Sequence, residues 1–417
     1  MVSELAEDPD RAEQGRMAPP AVGRPVQLPD AHLDLPRTGD VRAGDAASLP
    51  YYVADACGAE VVPASQYLRD LALGDASPST VRSYAYDLLR WWRTLEALGV
   101  AWDKATTGEV AALVGWLRTA RNPQRRRSSG PAPGTVNLRT GKASLAEGYA
   151  ASTINHALSV LSGFYAFHAH YGRGPVVNPV PDQPRRRAAL GHRSPIEPHQ
   201  RVPRARLRQR VPDRAPRSVP DHLWGELLAA MTCDRDRALL ALYVSSGARA
   251  TELLGLRLEH VDWAGKRIWI VSKGSRLLEA IPASPEAFAY LALYLDEHGL
   301  PAEGQPVWRA LHGEPRPLTY SAMRAVLNRA NAKLGTNWTA HDLRHTAASR
   351  MAGDPELSIV EVQAVLRHRH LSTTERYTQV RIEELVERLQ RHYARPQPTR
   401  HLSPGYDPED VRAVFGG

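Results

Sequence analysis

From about residue 62 onward, apolar positions recur at helical spacing. Val81, Tyr84, Leu88, Trp91, Trp92 and Leu95 fall on one face of a single helix. Thr106 followed by Glu109 reads as a capping box that opens another helix, with Val110, Leu113, Val114 and Leu117 on its apolar side. A basic loop rich in Gly and Pro comes next, carrying Arg121, Arg125, Arg126, Arg127, Arg139 and Lys142. Beyond it a long helix presents Ile154, Leu158, Leu161 and Tyr165. These elements predict a small all-helical domain over residues 62–181. Its aromatic stripe reads as core rather than as a platform for stacking bases.

The flanks differ. Residues 1–61 are rich in Pro, Ala, Asp and Gly with little periodicity, and read as disordered. A second helical region opens near 218, where Ser218 and Asp221 flank Pro220 as a helix cap. Around Asp236–Ser246 the pattern is apolar nearly all round, which predicts a central core helix, and Gly247 ends it. One β signal stands out: Arg267–Val271, a turn over Ser272–Ser275, and Arg276–Pro282. Helices resume after Pro285 and run to about Ala394. The fold class expected is mainly α with a small antiparallel β-sheet in the second domain, which spans 218–395, followed by a tail at 396–417.

Composition fits a globular protein, with 43% hydrophobic and 24% charged residues over 417 positions. Cys57 and Cys233 stand far apart, so neither a disulfide framework nor a zinc spacing is present and a cytoplasmic location is expected. The start of the chain is acidic and lacks the apolar stretch of a signal peptide. The most apolar run, Ala238–Val244, is far too short to cross a bilayer, so no membrane partner is expected.

The net charge of +8 is unevenly placed. Residues 1–60 hold 11 acids against 5 arginines, whereas 184–217 hold 11 arginines against Glu197 and Asp213. The Arg- and Pro-rich stretch 182–217 reads as an interdomain linker. A concentrated cationic stripe is the footprint of a polyanion binder, although a solvated linker has the same composition. The candidate DNA contacts are Arg125, Arg126, Arg127, Arg185, Arg186, Arg187, Arg206, Arg208 and Arg210.

Four islands then supply chemistry. Arg249 lies just past Gly247, with Glu252 one helical turn on to orient its guanidinium, a fork that matches phosphate oxygens. Lys273 stands at the hairpin tip, where an ammonium can protonate a leaving oxygen. His341 and Arg344 are a helical turn apart and are expected to face the same way, gripping one phosphate. His368 precedes Tyr377, whose phenol, with an ordinary pKa of about 10, needs nearby cations or a base before it attacks phosphorus. Taken singly, each has a blander reading: a surface Arg–Glu pair, a solvated turn lysine, a basic face, a structural tyrosine. His341 and His345 also have the spacing of a zinc-binding helix, with Asp342 where that motif has Glu. Arg344 would then sit beside the cation, and no metal is expected.

Read together and in order, the islands resemble the tyrosine recombinases, the phage-integrase family. Ser246–Leu254 resembles the family's first arginine box and Ser272-Lys273-Gly274 its hairpin lysine. His341-Asp342-Leu343-Arg344-His345-Thr346 is similar to its second box, and Leu366-Arg367-His368 with Ser372-Thr373-Thr374 and Tyr377 to its closing box. Asn178-Pro179-Val180 is similar to the end of the family's helical core-binding domain. The closing box departs from the pattern: Arg367 stands where the family usually has Gly, and Arg can forbid a turn that Gly permits. The hairpin has Arg276 instead of a second lysine.

The resemblance implies a helical core-binding domain, an integrase-type catalytic domain and an enzyme that breaks and rejoins double-stranded DNA. Tyr377 would attack the scissile phosphate to give a 3′-phosphotyrosine. Arg249, Arg344 and His368 would stabilise the transition state, Lys273 would serve as general acid, and His341 as base or additional phosphate ligand. No cofactor is implied. The partners implied are DNA, further copies of the chain (a tetramer on DNA) and an accessory directionality protein. Two other readings share these residues: a DNA-binding protein of the same fold that has lost the chemistry, which Arg367 favours, and a type IB topoisomerase. The helix expected after Tyr377 carries Ile382, Leu385, Val386 and Leu389 as an apolar stripe for packing in cis or on a neighbouring copy.

Overall fold

A computed structural model describes residues 33–123, 132–144, 146–181, 205–212, 216–272, 277–314 and 316–367. The chain divides into two compact units, one of residues 1–134 and 145–212, the other of 135–144 and 213–417.

Among the described residues, the first unit has four α-helices. These are α1 (Val62–Leu73), α2 (Pro78–Leu98), α3 (Thr107–Thr119) and α4 (Ala151–His170). Ser77 caps α2 through Thr80 N–H, Pro78 takes its first position, and Gly99 closes it in the left-handed region. The expected capping box forms at α3, where Glu109 Oε2 accepts from Thr106 N–H at 2.7 Å. Val81, Leu88, Trp91, Val110, Leu113, Ile154, Leu158 and Leu161 fill one core, as their spacing predicts. Trp91 and Tyr165 are buried structural residues: Trp91 Nε1 donates to Tyr165 Oη at 3.0 Å, and Tyr165 Oη to Trp102 O at 2.9 Å.

Two expectations change here. Residues 33–61 are not disordered. They hold an antiparallel hairpin, β1 (Asp40–Ala43) with β2 (Tyr51–Ala54), and place Leu49, Val53 and Val61 in the core of the first unit. Each strand has four residues, too few for alternation to stand out. Within 182–217, residues 205–212 belong to this unit. Gln209 N–H donates to Asn155 Oδ1 at 2.7 Å, and Arg208 donates to Asn155 O and Ser159 Oγ.

In the second unit, α5 (Asp221–Ala229) starts differently from expectation. Pro220 occupies the cap position with no side-chain cap, and Thr346 Oγ1 accepts from Val219 N–H at 2.8 Å. The central helix α6 (Asp234–Ser246) is buried from Ala238 to Val244, as its all-round apolar pattern predicts. The short α7 (Ala250–Leu254) follows. Strands β3 (Val261–Asp262), β4 (Arg267–Val271) and β5 (Leu278–Pro282) form an antiparallel sheet in that order. Ile268, Ile270 and Ile281 point into the core, the alternation of a half-buried sheet. Helices α8 (Pro285–His298), α9 (Tyr320–Leu334), α10 (Ala340–Ala352) and α11 (Ile359–Leu366) complete the described part. No helix among the described residues is long and apolar enough to cross a membrane.

Residues 135–144, expected within the helical domain, pack with the second unit. Asn137 Nδ2 donates to Gly335 O at 2.9 Å, Arg139 Nη1 to Leu334 O at 2.6 Å, and Thr140 Oγ1 to Asn337 Oδ1 at 2.6 Å. This strap grips the turn between α9 and α10.

Candidate active site

The first box is set by the end of α6. Gly247 adopts φ +61°, and a Cβ placed there would lie 2.7 Å from Leu366 Cδ2. Glycine meets both demands without strain. The turn delivers Arg249 to the start of α7, where Glu252 holds it twice. Oε2 accepts from Arg249 N–H at 2.7 Å, and Oε1 from Nη1 at 2.8 Å. Trp308 Nε1 donates to Leu253 O at 2.7 Å, which fixes this short helix to the core.

The second box opens α10. Asp342 Oδ2 accepts from Thr339 N–H and Thr339 Oγ1, at 2.8 and 2.6 Å, and pairs with Lys142 of the strap. The carboxylate that would be the zinc motif's base thus caps the helix. His341 and Arg344 do not share an environment: His341 is exposed, with its ring 4.1 Å from that of His345, whereas Arg344 is buried. A separation of three residues rotates the second side chain by about 60° from the first, enough at this boundary to put one in solvent and one in the core. Arg344 donates to the carbonyls of Gly247 and Leu366, joining the first box to the closing one.

The closing box begins at α11, capped by Ser358 with Glu361 reaching back. It ends at Arg367 with φ 52° and ψ 48°, the left-handed conformation that glycine adopts freely. Arg367 therefore makes the turn expected of Gly, at a cost of roughly 1–2 kcal/mol. Its side chain turns inward, and Nη2 donates to Glu252 Oε2 at 2.7 Å.

Arg249 and Arg367 thus pair with one buried carboxylate, and Arg344, bonded to backbone carbonyls, lies within range of its charge. Burial, then repulsion from Arg249 and Arg367, lowers the Arg344 pKa to about 10. Arg367 is lowered chiefly by burial, which outweighs its pairing with Glu252. Burial by itself would raise Glu252. The Arg249 N–H, the charge of Arg367 and the Arg249 guanidinium prevail and hold it below the ordinary carboxylate range. The cluster carries an excess of positive charge focused at a partly open arginine, which is chemistry for an anion with several oxygens.

At the hairpin, Ser272 N–H donates to Leu277 O at 2.9 Å across the turn, and Ser272 Oγ donates to Glu279. Lys273, His368 and Tyr377 lie outside the described residues, as do the helix expected after Tyr377, Arg125, Arg126, Arg127, Arg185, Arg186 and Arg187. Among the remaining candidate DNA contacts, Arg206 and Arg210 are exposed, and Arg208 is hydrogen-bonded to α4. Lys142, Arg367 and Glu279 were not singled out by sequence reasoning as parts of the site. Only Arg367 left a signal there, as a departure from the expected glycine.

The profile described as the phage integrase family matches residues 225–384, and that of the phage integrase N-terminal SAM-like domain matches 64–129. Transposase A from transposon Tn554 of Staphylococcus aureus is 25% identical over 326 residues, 75% of this chain and 86% of that protein. The tyrosine recombinase XerC of Azotobacter vinelandii is 29% identical over 243 residues, 58% of this chain and 73% of that one. In fold, a lambda integrase fragment (75–356), crystallised as a dimer bound to a COC′ core site, superposes with a TM-score of 0.52. It has 17% identity and covers 82% of this chain and 99% of that one. The chain belongs to the phage integrase family of tyrosine recombinases. Members of this class carry out site-specific recombination, and this chain is an enzyme of that class.

Proposed function

We propose that the protein cuts and rejoins double-stranded DNA at a specific site through a 3′-phosphotyrosine, moving a mobile element in or out of a chromosome. The observation that carries this reading is the meeting of the boxes: Arg344 bonds to the carbonyls of Gly247 and Leu366, beside the partly open Arg249 that Glu252 holds. Tyr377 Oη attacks phosphorus, its proton passing to His341, and the P–O5′ bond breaks. Lys273 protonates the departing 5′-oxygen. Arg249, Arg344 and His368 bind the non-bridging oxygens, and each such donor is worth about 10²–10³ in rate. A 5′-hydroxyl of a partner strand reverses the step, so bond energy is conserved without metal or nucleotide. The likeness to a transposon's transposase supports a mobile element. The DNA-bound lambda integrase supports a DNA duplex as partner; a tetramer on DNA and an accessory protein that sets direction complete the proposal. Arg367 no longer favours the inactive reading, because it keeps the expected turn.

The test is a nicked suicide substrate built from DNA flanking the gene, incubated in EDTA. A covalent adduct that Tyr377→Phe abolishes is the expected result. Tight binding without adduct in the unaltered protein would overturn it.

A further inference from the structure

We infer that Arg367 is a positioning residue, whose side chain ties Glu252 toward Glu279 and so fixes the guanidinium of Arg249 for phosphate binding. The inference rests on the phosphoryl-transfer reading above.

Glycine at position 367 would make the same left-handed turn without strain, so the turn itself does not account for an arginine. The side chain does. It is 9% exposed, with Nη2 on Glu252 Oε2 at 2.7 Å and Nη1 on Val365 O at 2.9 Å, while Nε makes no hydrogen bond and lies at ion-pair distance, 3.9 Å, from Glu279 Oε2. Glu252 divides its two oxygens accordingly. Oε1 faces the Arg249 guanidinium, while Oε2 takes the Arg249 N–H and Arg367 together. The carbonyl of Arg367 also accepts from Arg249 Nη2, at 3.5 Å. Arg249 is thus held on one side by a carboxylate that residue 367 orients and on the other by the carbonyl of residue 367 itself.

The arrangement extends to the hairpin. Glu279 on β5 accepts from Ser272 Oγ, and Ser272 directly precedes Lys273. The tether therefore runs from α7, through the end of α11, to the base of the hairpin turn. Arg367 spends its guanidinium on Glu252 and the Val365 carbonyl, whereas the Arg249 side chain keeps 31% of its surface open. The planar fork matters as well as the charge. A lysine in this place has one nitrogen to satisfy two carboxylates and a carbonyl.

The experiment uses the full chain with Arg367→Gly, Arg367→Lys, Glu252→Gln and the Arg367→Gly/Glu252→Gln double variant. Urea denaturation of the set measures whether 367 and 252 are coupled, independently of activity. Single-turnover adduct formation on the suicide substrate and DNA affinity are measured alongside. Arg367→Gly is expected to fold and to bind DNA as the parent does, yet to cleave about 10–100-fold more slowly, the scale on which partners that orient a reacting group act. Arg367→Lys should recover only part of the rate. The double variant should cleave no more slowly than Glu252→Gln, because both changes release the same arginine. Additive stabilities, or parental cleavage by Arg367→Gly, would overturn the inference. So would additive cleavage losses, which mark an action independent of Glu252. Absence of any adduct with the unaltered protein would instead overturn the reaction, while the denaturation cycle still decides the tether.

Discussion

Gly247 and Leu366 touch so closely that a side chain on the first would require the second to shift: a Cβ at 247 would lie 2.7 Å from Leu366 Cδ2. This contact sets the end of the core helix against the end of the helix that leads into the closing box. Arg344 then bridges the same two residues through their carbonyls. The spacing between the two boxes is therefore a packing distance. Gly247→Ala should lose roughly 2–4 kcal/mol of stability, from the left-handed backbone and the overpacking together. Chemical denaturation would check this, and a loss below about 1 kcal/mol would mean that α11 moves aside without cost.

Glu252 is the carboxylate on which two guanidiniums depend. Its folded-state pKa lies below the ordinary value, so it contributes stability that is present above about 4.5 and is lost as pH falls through the lower, folded value. Glu252→Gln should flatten the acid side of the stability profile and destabilise the protein by about 3–5 kcal/mol, as when one partner of a buried ion pair is removed. Thermal melts between pH 3 and 7 (about the range over which carboxylates titrate) would show both effects.

In the first unit His168 is fully buried, with Nε2 3.1 Å from the Pro63 carbonyl, and burial lowers its pKa. A histidine depressed in the folded state stabilises fully above its unfolded value of 6.5 and loses that contribution as pH falls below it. The first unit should therefore weaken between neutral and mildly acidic pH, and His168→Gln should remove that slope. Tryptophan fluorescence melts at several pH values would test it, since Trp91 and Trp102 belong to the same core. An unchanged slope in the variant would assign it to another group.

Lys142 reaches Asp342 from the strap, and Asp342 caps the helix that bears His341 and Arg344. Lys142→Met should cost about 1.5–3 kcal/mol, the range for a hydrogen bond to a charged group. It should also speed tryptic cleavage at Arg139, which is exposed but held at Leu334 O and Glu226. Equal digestion rates in both proteins would show that the neighbouring hydrogen bonds suffice to hold the strap.

Much of the architecture could be read from periodicity, because the helices bury a stripe and the central one buries its whole circumference. Val81, Leu88 and Trp91 are core for the reason their spacing suggests. The N-terminal hairpin escaped because its strands are four residues long. The strap escaped because Asn137, Thr140 and Lys142 act through polar contacts that have no period. At the candidate site, residue types and order singled out Arg249, Glu252 and Arg344, which the fold brings near one another, but Arg344 is held by backbone carbonyls, which every residue possesses. His341 and Arg344 were expected to face one way, yet three residues of helix at the edge of a core place them in different surroundings.

The strap has a consequence for how this protein can be taken apart. The chain leaves the first unit at Gly134, enters the second for ten residues, and returns at Leu145 before crossing again near Pro212. Severing it in the arginine-rich stretch would not yield two self-sufficient modules. A catalytic fragment beginning there would lack its own Lys142. A chimera that imports another recombinase's helical region, with the strap inside it, would replace the lysine that pairs with Asp342 at the start of the helix bearing Arg344. In this chain the two units are inherited interleaved, because one short segment of the first stretch of sequence belongs to the second unit.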